Sequence, residues 1–375
     1  MKKIKKVRLK PPAIKILKFF GFCIVAFFAC FLFYNHKISK LNEIGYSKKS
    51  SDYILFHGKN KYILSIGENK TLNAAFESKF YKEENFDKYQ HIKYFEHKDL
   101  IQNINNLIDK GYSINNINTI MSHGDNDDVK EFAKRDKVRY LEEFYSVPYA
   151  KLENYDRYTA YSDATGEDDE VTVLIVNLDL DKVAYKDFTI VDKFSTDMLV
   201  NKYRKLDESF VPDNLVKLSA PYASSDDLEA SRVAYDAFKL MYKAAEAEGY
   251  GIVINSAYRS YQYQVDLYNY YKSLYGDNYV VRYVAFPGFS EHQTGLSFDI
   301  GSKTSNIFAN SREFVWMQNN AHKYGFILRF PSNYVNITSF NYEPWHYRYV
   351  GVEIATYIHE NKIPFEKYYA MFLDN

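Results

Sequence analysis

The chain has 375 residues, a length that predicts two or three domains, and its 46% hydrophobic content is enough for real cores. Its formal net charge of zero hides an asymmetry, because residues 1–40 hold ten Lys or Arg and no acid, leaving 38 basic against 48 acidic groups, a net of −10, in the other 335 residues. That balance argues against a nucleic-acid partner.

Residues 1–12 read as a basic cytoplasmic tail and 13–36 as a transmembrane signal anchor. Eight of the cations fall in residues 2–18, and Phe19 to Tyr34 then runs sixteen residues without a charge. Counted from Ala13, with Lys15 and Lys18 snorkelling, the segment reaches the roughly 20 residues that cross a bilayer. The positive flank stays in the cytoplasm, which predicts a single-pass cell-membrane protein whose C-terminal bulk is extracellular. A cleaved signal peptide is the alternative, but no A-x-A-like end precedes Asn35. A lipoprotein cysteine at Cys30 is disfavoured because Phe31, Leu32 and Phe33 continue the apolar run. Both cysteines, Cys23 and Cys30, lie inside this segment, so the exported part has neither disulfide nor thiolate ligand and any metal there falls to His, Asp or Glu.

Residues 41–190 read as an extracellular helical or mixed spacer. Leu41, Gly45, Tyr46, Ser47 and Ile54 recur with identical spacing as Leu107, Gly111, Tyr112, Ser113 and Ile120. Each copy predicts a helix ended by Gly and a Ser that caps the next one. Asp163 to Glu170 is an acidic loop, Val171 to Leu178 is a β-branched run fit for a strand, and a domain boundary is expected between there and Met198.

The rest, residues 195–375, reads as the functional domain. Ser225 is expected to cap a helix with Asp226, Asp227 and Glu229 at its N-terminus and an apolar stripe of Val233, Ala234, Ala237, Phe238, Met241 and Ala245 that ends before Gly249. A strand at Ile252–Ile254 would then deliver Arg259 to its end. Six tyrosines lie between Tyr261 and Tyr275; packing within the fold is expected for them, with an outward-facing aromatic surface as the alternative. Phe314, Met317 and Ala321 follow helical spacing, and Phe326 to Phe330 reads as a strand.

The chemistry concentrates in two motifs, Gly288-Phe289-Ser290-Glu291-His292-Gln293-Thr294-Gly295-Leu296-Ser297-Phe298-Asp299 and Glu343-Pro344-Trp345-His346. Two histidines and an aspartate suit a zinc ion with its fourth position open to water, and an unliganded glutamate nearby suits that water as a base. Glu343 and His346, three apart, can project into one site while only one of them binds metal. His292 and Asp299 are seven apart across Gly295, as in a turn leading into a strand. No H-E-x-x-H pair occurs, Ser290 lacks the second glycine of a nucleophile elbow, and there is no Ser-x-x-Lys. The expectation is a hydrolase of amide bonds.

The pattern S-x-H-x-x-G-x-(A or S)-x-D followed by E-x-W-H resembles the zinc D-alanyl-D-alanine and L,D-carboxypeptidases of bacterial cell walls, the group that includes VanY-type enzymes. The resemblance runs from Met198 to Gly351, about 40% of the chain, and takes in Val211 to Val216, Ser256 to Ser260, Tyr324 to Phe330 and Tyr347 to Gly351. Its one departure is Ser297, where Ala is frequent. The resemblance implies one Zn2+ ion held by His292, Asp299 and His346, Glu343 as general base, and Arg259 holding the substrate carboxylate or the developing oxyanion. It puts Gln264 and Ser290 in the same pocket. Trp345 would orient its neighbours from the core, with stacking on substrate as the alternative. The implied substrates are peptidoglycan stem peptides that lose a C-terminal D-alanine to a zinc-bound water activated by Glu343; D,D and L,D specificity, a cross-link endopeptidase and a non-catalytic wall-peptide binder all stay open. The expected fold is α+β, a small antiparallel sheet with packed helices carrying the zinc site (hedgehog/DD-peptidase-like), preceded by a helical extension and an N-terminal transmembrane helix.

Overall fold

A computed structural model describes residues 11–136 and 138–374. Of the basic tail expected at residues 1–12, residues 1–10 lie outside the described residues, and Pro11 and Pro12 begin the first helix. Contacts divide the chain into two compact units, Met1–Tyr145 and Ser146–Asn375. Residues 146–190, assigned to the spacer by sequence, thus group with the second unit. Helices of seven residues or more are numbered below in chain order.

The first unit is helical: α1 (Pro11–Glu43), α2 (Lys48–Phe56), α3 (Asn60–Ile66), α4 (Lys70–Glu77), α5 (Leu100–Asp109), α6 (Ile114–His123) and α7 (Asn126–Phe132). From Lys15 onward α1 is long and apolar enough to cross a membrane. Its side chains from Ile16 to Phe33 are almost all exposed, including both free cysteines, whereas Ile38 and Leu41 are buried within the unit. The repeated signature has one local structure in both copies. Gly45 and Gly111 take φ of +97° and +83°, which lets the N–H of Tyr46 and of Tyr112 reach back to Leu41 O and Leu107 O, each at 3.1 Å. Ser47 and Ser113 then cap α2 and α6 by accepting from the N–H of Ser50 and of Asn116. Leu41, Ile54, Leu107 and Ile120 are fully buried.

In the second unit α8 (Tyr155–Thr165) is followed by α9 (Asp169–Asn177) where a strand was expected. Asp168 caps α9 through the N–H of Val171, and every residue from Thr172 to Asn177 is buried. An apolar run buried on all sides has no helical periodicity to show, so its β-branched content misled the sequence reading. Leu174 and Leu178 pack with Ile327, Ile358 and Phe365. Next come a parallel pair, β1 (Thr189–Val191) with β2 (Arg204–Leu206), and an antiparallel pair, β3 (Leu215–Lys217) with β4 (Glu229–Ser231). The helix expected from Ser225 begins later, as α10 (Arg232–Ala247), because Glu229 to Ser231 pair as strand. Ala234, Phe238, Met241 and Ala245 form its buried stripe as expected, while Val233 is exposed.

The central sheet has the order β5-β6-β8-β7, all antiparallel: β5 (Ile252–Ser256), β6 (Ser297–Ser302), β7 (Phe326–Leu328) and β8 (His346–Tyr349). Between its strands run α11 (Tyr261–Tyr275), α12 (Asp277–Tyr283) and α13 (Arg312–Asn320); α14 (Val352–Asn361) and α15 (Phe365–Phe372) close the unit. Alternation along β6 and β8 decides the two faces. Phe298, Ile300 and Tyr347 join the large core with Phe238 and Phe326, and Phe298 and Phe326 both lie within ring contact of Phe238. Asp299, His346 and Arg348 point to the other face. The packing expected for the tyrosines of α11 is met in part: Tyr268 packs on Phe286 and Tyr271 and Tyr275 on Tyr279 of α12, while Tyr263, Tyr270 and Tyr275 stay exposed to solvent and Gln264 is the helix's one buried residue.

Candidate metal centre

The site follows from strand register. Asp299 on β6 pairs directly with His346 on β8, and directly opposed residues put their side chains on one face about 5 Å apart. His292 arrives from a single 3-10 turn, Glu291–Thr294, which Ser290 caps by accepting from the His292 N–H. Gly295 closes the turn at φ +66°, and a Cβ there would stand 2.8 Å from the Ser231 nitrogen. Only glycine meets both conditions.

His292 Nδ1–H donates to Ala257 O at 2.6 Å, which leaves Nε2 as the atom with a free lone pair. That Nε2 lies 3.4 Å from Asp299 Oδ1, and His346 Nδ1 lies 3.5 Å from the same oxygen. Ligand atoms of His292, Asp299 and His346 fall within 4.8 Å of one another. Zinc bonds of roughly 2.1 Å at tetrahedral angles separate ligand atoms by about 3.4 Å, so the cluster fits such an ion. The buried His292 Nε2 and Asp299 Oδ1 have no hydrogen-bond partner within the protein, the state in which a metal-ligand pair is expected.

Glu343 Oε2 is 3.5 Å from His346 Nδ1. Burial raises its carboxyl to about 7 against the opposing pull of His346. Burial also pushes the Asp299 carboxyl up, but His292 and Arg259 outweigh it and hold the group below the usual carboxylate range. Arg259 follows β5, with its N–H on His292 O, Nη1 3.7 Å from Asp299 Oδ2, and a buried Nε without a partner.

The remaining expected site residues sit differently. Ser290 is spent on capping the turn of His292. Gln264 is buried and donates from Nε2 to Ala285 O at 2.8 Å, with Oε1 unpartnered. Trp345 is 39% exposed and lines a separate cavity of about 480 Å³ with Asn255, Asn306 and Phe308, so it is not a core residue.

Sequence reasoning missed the charges behind the cluster. Glu291, Arg329, Arg348 and Glu366 are all buried. Glu291 Oε1 accepts from Arg329 Nε at 2.8 Å and Arg348 Nη1 at 2.9 Å, and Arg329 grips Glu366 with two bonds of 3.0 and 2.6 Å. These arginines more than offset the burial of Glu291 and keep it ionised. Its other oxygen accepts from Ser297 Oγ at 3.3 Å and faces His346 Nε2 at 3.6 Å. Glu291 thus stands where a ring-orienting carboxylate belongs behind a ligating histidine. The available signal was two arginines set among strand hydrophobics, at Arg329 and Arg348.

A His–Asp–His cluster with a buried carboxylate beside it is the arrangement of metal-dependent hydrolases. The family model of VanY, D-alanyl-D-alanine carboxypeptidase, matches residues 228–352. YodJ of Bacillus subtilis (strain 168) is 39% identical over 179 residues, 46% of this chain and 66% of that protein's length. The bifunctional D-Ala-D-Ala dipeptidase and D-Ala-D-Ala carboxypeptidase VanXYC of Enterococcus gallinarum is 32% identical over 182 residues, 47% of this chain and 94% of its own. Among solved structures, that of the LdcB LD-carboxypeptidase aligns at 36% identity over 49% of this chain and 90% of that one, with a TM-score of 0.45. The chain belongs to the VanY family of D-alanyl-D-alanine carboxypeptidases.

Proposed function

We propose that the protein is a membrane-anchored, zinc-dependent carboxypeptidase that removes the C-terminal D-alanine from peptidoglycan stem peptides. The observation that carries this reading is the convergence of His292 Nε2, His346 Nδ1 and Asp299 Oδ1 beside the Glu343 carboxyl. The similarity to VanXYC, a D-Ala-D-Ala dipeptidase and carboxypeptidase, supports the substrate class. Held by those three residues, zinc supplies Lewis acidity that polarises a carbonyl and lowers the pKa of water to about 7.

Glu343 takes a proton from the attacking water and returns it to the departing amine as the scissile C–N bond breaks. A carboxyl raised to about 7 suits both transfers near neutral pH. Arg259 has a buried donor without a partner beside the cluster, and it binds the terminal carboxylate or the oxyanion that develops on the carbonyl. Gln264 holds the loop at Ala285, and Ser290 fixes the turn that aims His292. Trp345, between Glu343 and His346 in the chain, turns its exposed ring to the neighbouring cavity, and there it would extend the surface that meets a longer substrate. The apolar stretch of α1, with the cationic residues before it, anchors the chain with its catalytic unit outside.

The test is mass spectrometry of products after the zinc-loaded full chain, in detergent, meets free stem pentapeptide and tetrapeptide in parallel. Loss of one alanine from the pentapeptide alone defines a D,D-enzyme, and loss from the tetrapeptide an L,D-enzyme. If neither shortens while zinc is bound, the exopeptidase reading is wrong; release of monomers from cross-linked dimers would then identify an endopeptidase.

A further inference from the structure

We propose that the C-terminal end of α2 rests on the membrane surface and that the cavity between it and α1 holds a glycerophospholipid of the leaflet from which α1 emerges. The proposal rests on the reading of α1 as a membrane span. The exposed run of α1 from Ile16 to Tyr34, apolar but for the snorkelling Lys18, is 19 residues, about 28 Å at 1.5 Å per residue, close to the roughly 30 Å of a bilayer's hydrocarbon. The hydrocarbon boundary therefore falls near Tyr34.

At that level a cavity of about 680 Å³ opens, lined by Phe33, Tyr34 and Lys37 of α1 and by Lys49, Tyr53 and Phe56 of α2. Phe56 is 88% exposed, more than any other large apolar side chain among the described residues. In water that ring has nothing to cover it, yet it shares a cavity with a segment that lipid surrounds. The polar groups agree with the same level. Tyr34 donates its hydroxyl to Asp52 at 2.5 Å, and Lys37 lays its ammonium 4.4 Å from the Phe33 ring centroid, as tyrosines and snorkelling lysines do at the headgroup layer. Lys37 and Lys49 put two cations on the lining and Asp52 one anion. An acyl chain against Phe33 and Phe56, with its phosphate at Lys37, satisfies both halves of the lining.

The experiment uses the full chain in phosphatidylcholine–phosphatidylglycerol vesicles, with Cys23→Ser and Cys30→Ser and a single fluorophore placed through Phe56→Cys or, as a control within the span, Ile24→Cys. Quenching by lipids spin-labelled near the top of the acyl chain or deep within it is read against quenching by aqueous iodide. The expected result is that position 56 loses most of its emission to lipid labelled near the top of the chain and little to iodide, while position 24 responds to lipid labelled deep in the chain. Lipid quenching at 24 with iodide quenching at 56 would overturn the proposal and leave the span intact. A position 56 shielded from both quenchers would overturn it in favour of a second copy covering α2. No lipid quenching at either position would remove the span reading and the proposal with it.

Discussion

Replacing Glu291 by Gln tests whether the buried charges behind the metal cluster shape it. The side chain accepts from Arg329 at 2.8 Å, from Arg348 at 2.9 Å and from Ser297 at 3.3 Å, and faces His346 Nε2 at 3.6 Å. Both arginines are essentially inaccessible to solvent, so removal of the carboxylate leaves one positive charge uncompensated in the interior. Breaking a buried pair in this way costs about 3–5 kcal/mol, against about 0.2–1 kcal/mol for an exposed pair. Glu291→Ala should show the full cost. Glu291→Gln keeps an acceptor oxygen and should lose less stability, but it trades a carboxylate for an amide behind His346, a change typically worth 10–100-fold in metal affinity. Zinc affinity by competition with a chromophoric chelator, together with the urea midpoint, reads the two effects separately. Breaking the exposed pair Lys272–Asp277 with Lys272→Ala is the control. A Glu291→Gln protein with wild-type zinc affinity and an unchanged midpoint would refute the reasoning.

Glu343→Gln should keep the metal and lose about 10²–10⁴-fold in kcat, the usual contribution of a positioned general base; zinc content and steady-state rates on the stem peptides check it. Gly295→Ala puts a Cβ 2.8 Å from the Ser231 nitrogen at φ +66° and should cost more than about 1 kcal/mol while loosening zinc binding, read as a lower Tm and a raised Kd. Lys202 is buried, with its ammonium near the Phe340 and Tyr185 rings, and desolvation lowers its pKa from 10.5 to about 8. Its folded-state pKa lies below the unfolded value, so the group costs stability below pH 8 and relieves that cost as pH rises from 8 towards 10.5. The stability of Lys202→Met relative to wild type should accordingly fall across that window, and urea unfolding at pH 7 and pH 10 would expose a constant difference if this is wrong.

What sequence could reveal followed the range of the interactions. The turn of His292 and the two Gly–Tyr–Ser junctions are built from bonds within a few residues, and their spacing was legible. The β6–β8 register that brings His346 to Asp299 joins residues 47 apart in the chain, and the two motifs by themselves do not set it. α9 was misread because complete burial erased its periodicity, and the start of α10 because Glu229–Ser231 pair with a strand that local capping signals do not reveal. Glu291 was passed over because its partners lie 38, 57 and 55 residues away, at Arg329, Arg348 and His346. No local pattern ties residues across such distances.

The Arg329–Glu366 clasp has a consequence for where the catalytic module ends. The family match stops at residue 352, while Glu366, on α15, is one of two anions that balance Arg329 and Arg348. A protein truncated at residue 352 would keep every candidate ligand and the base, yet bury two guanidinium groups against a single carboxylate. The family match therefore marks a shorter stretch than the one whose buried charges balance, and α15 belongs to that electrostatic unit even though no candidate site residue lies on it.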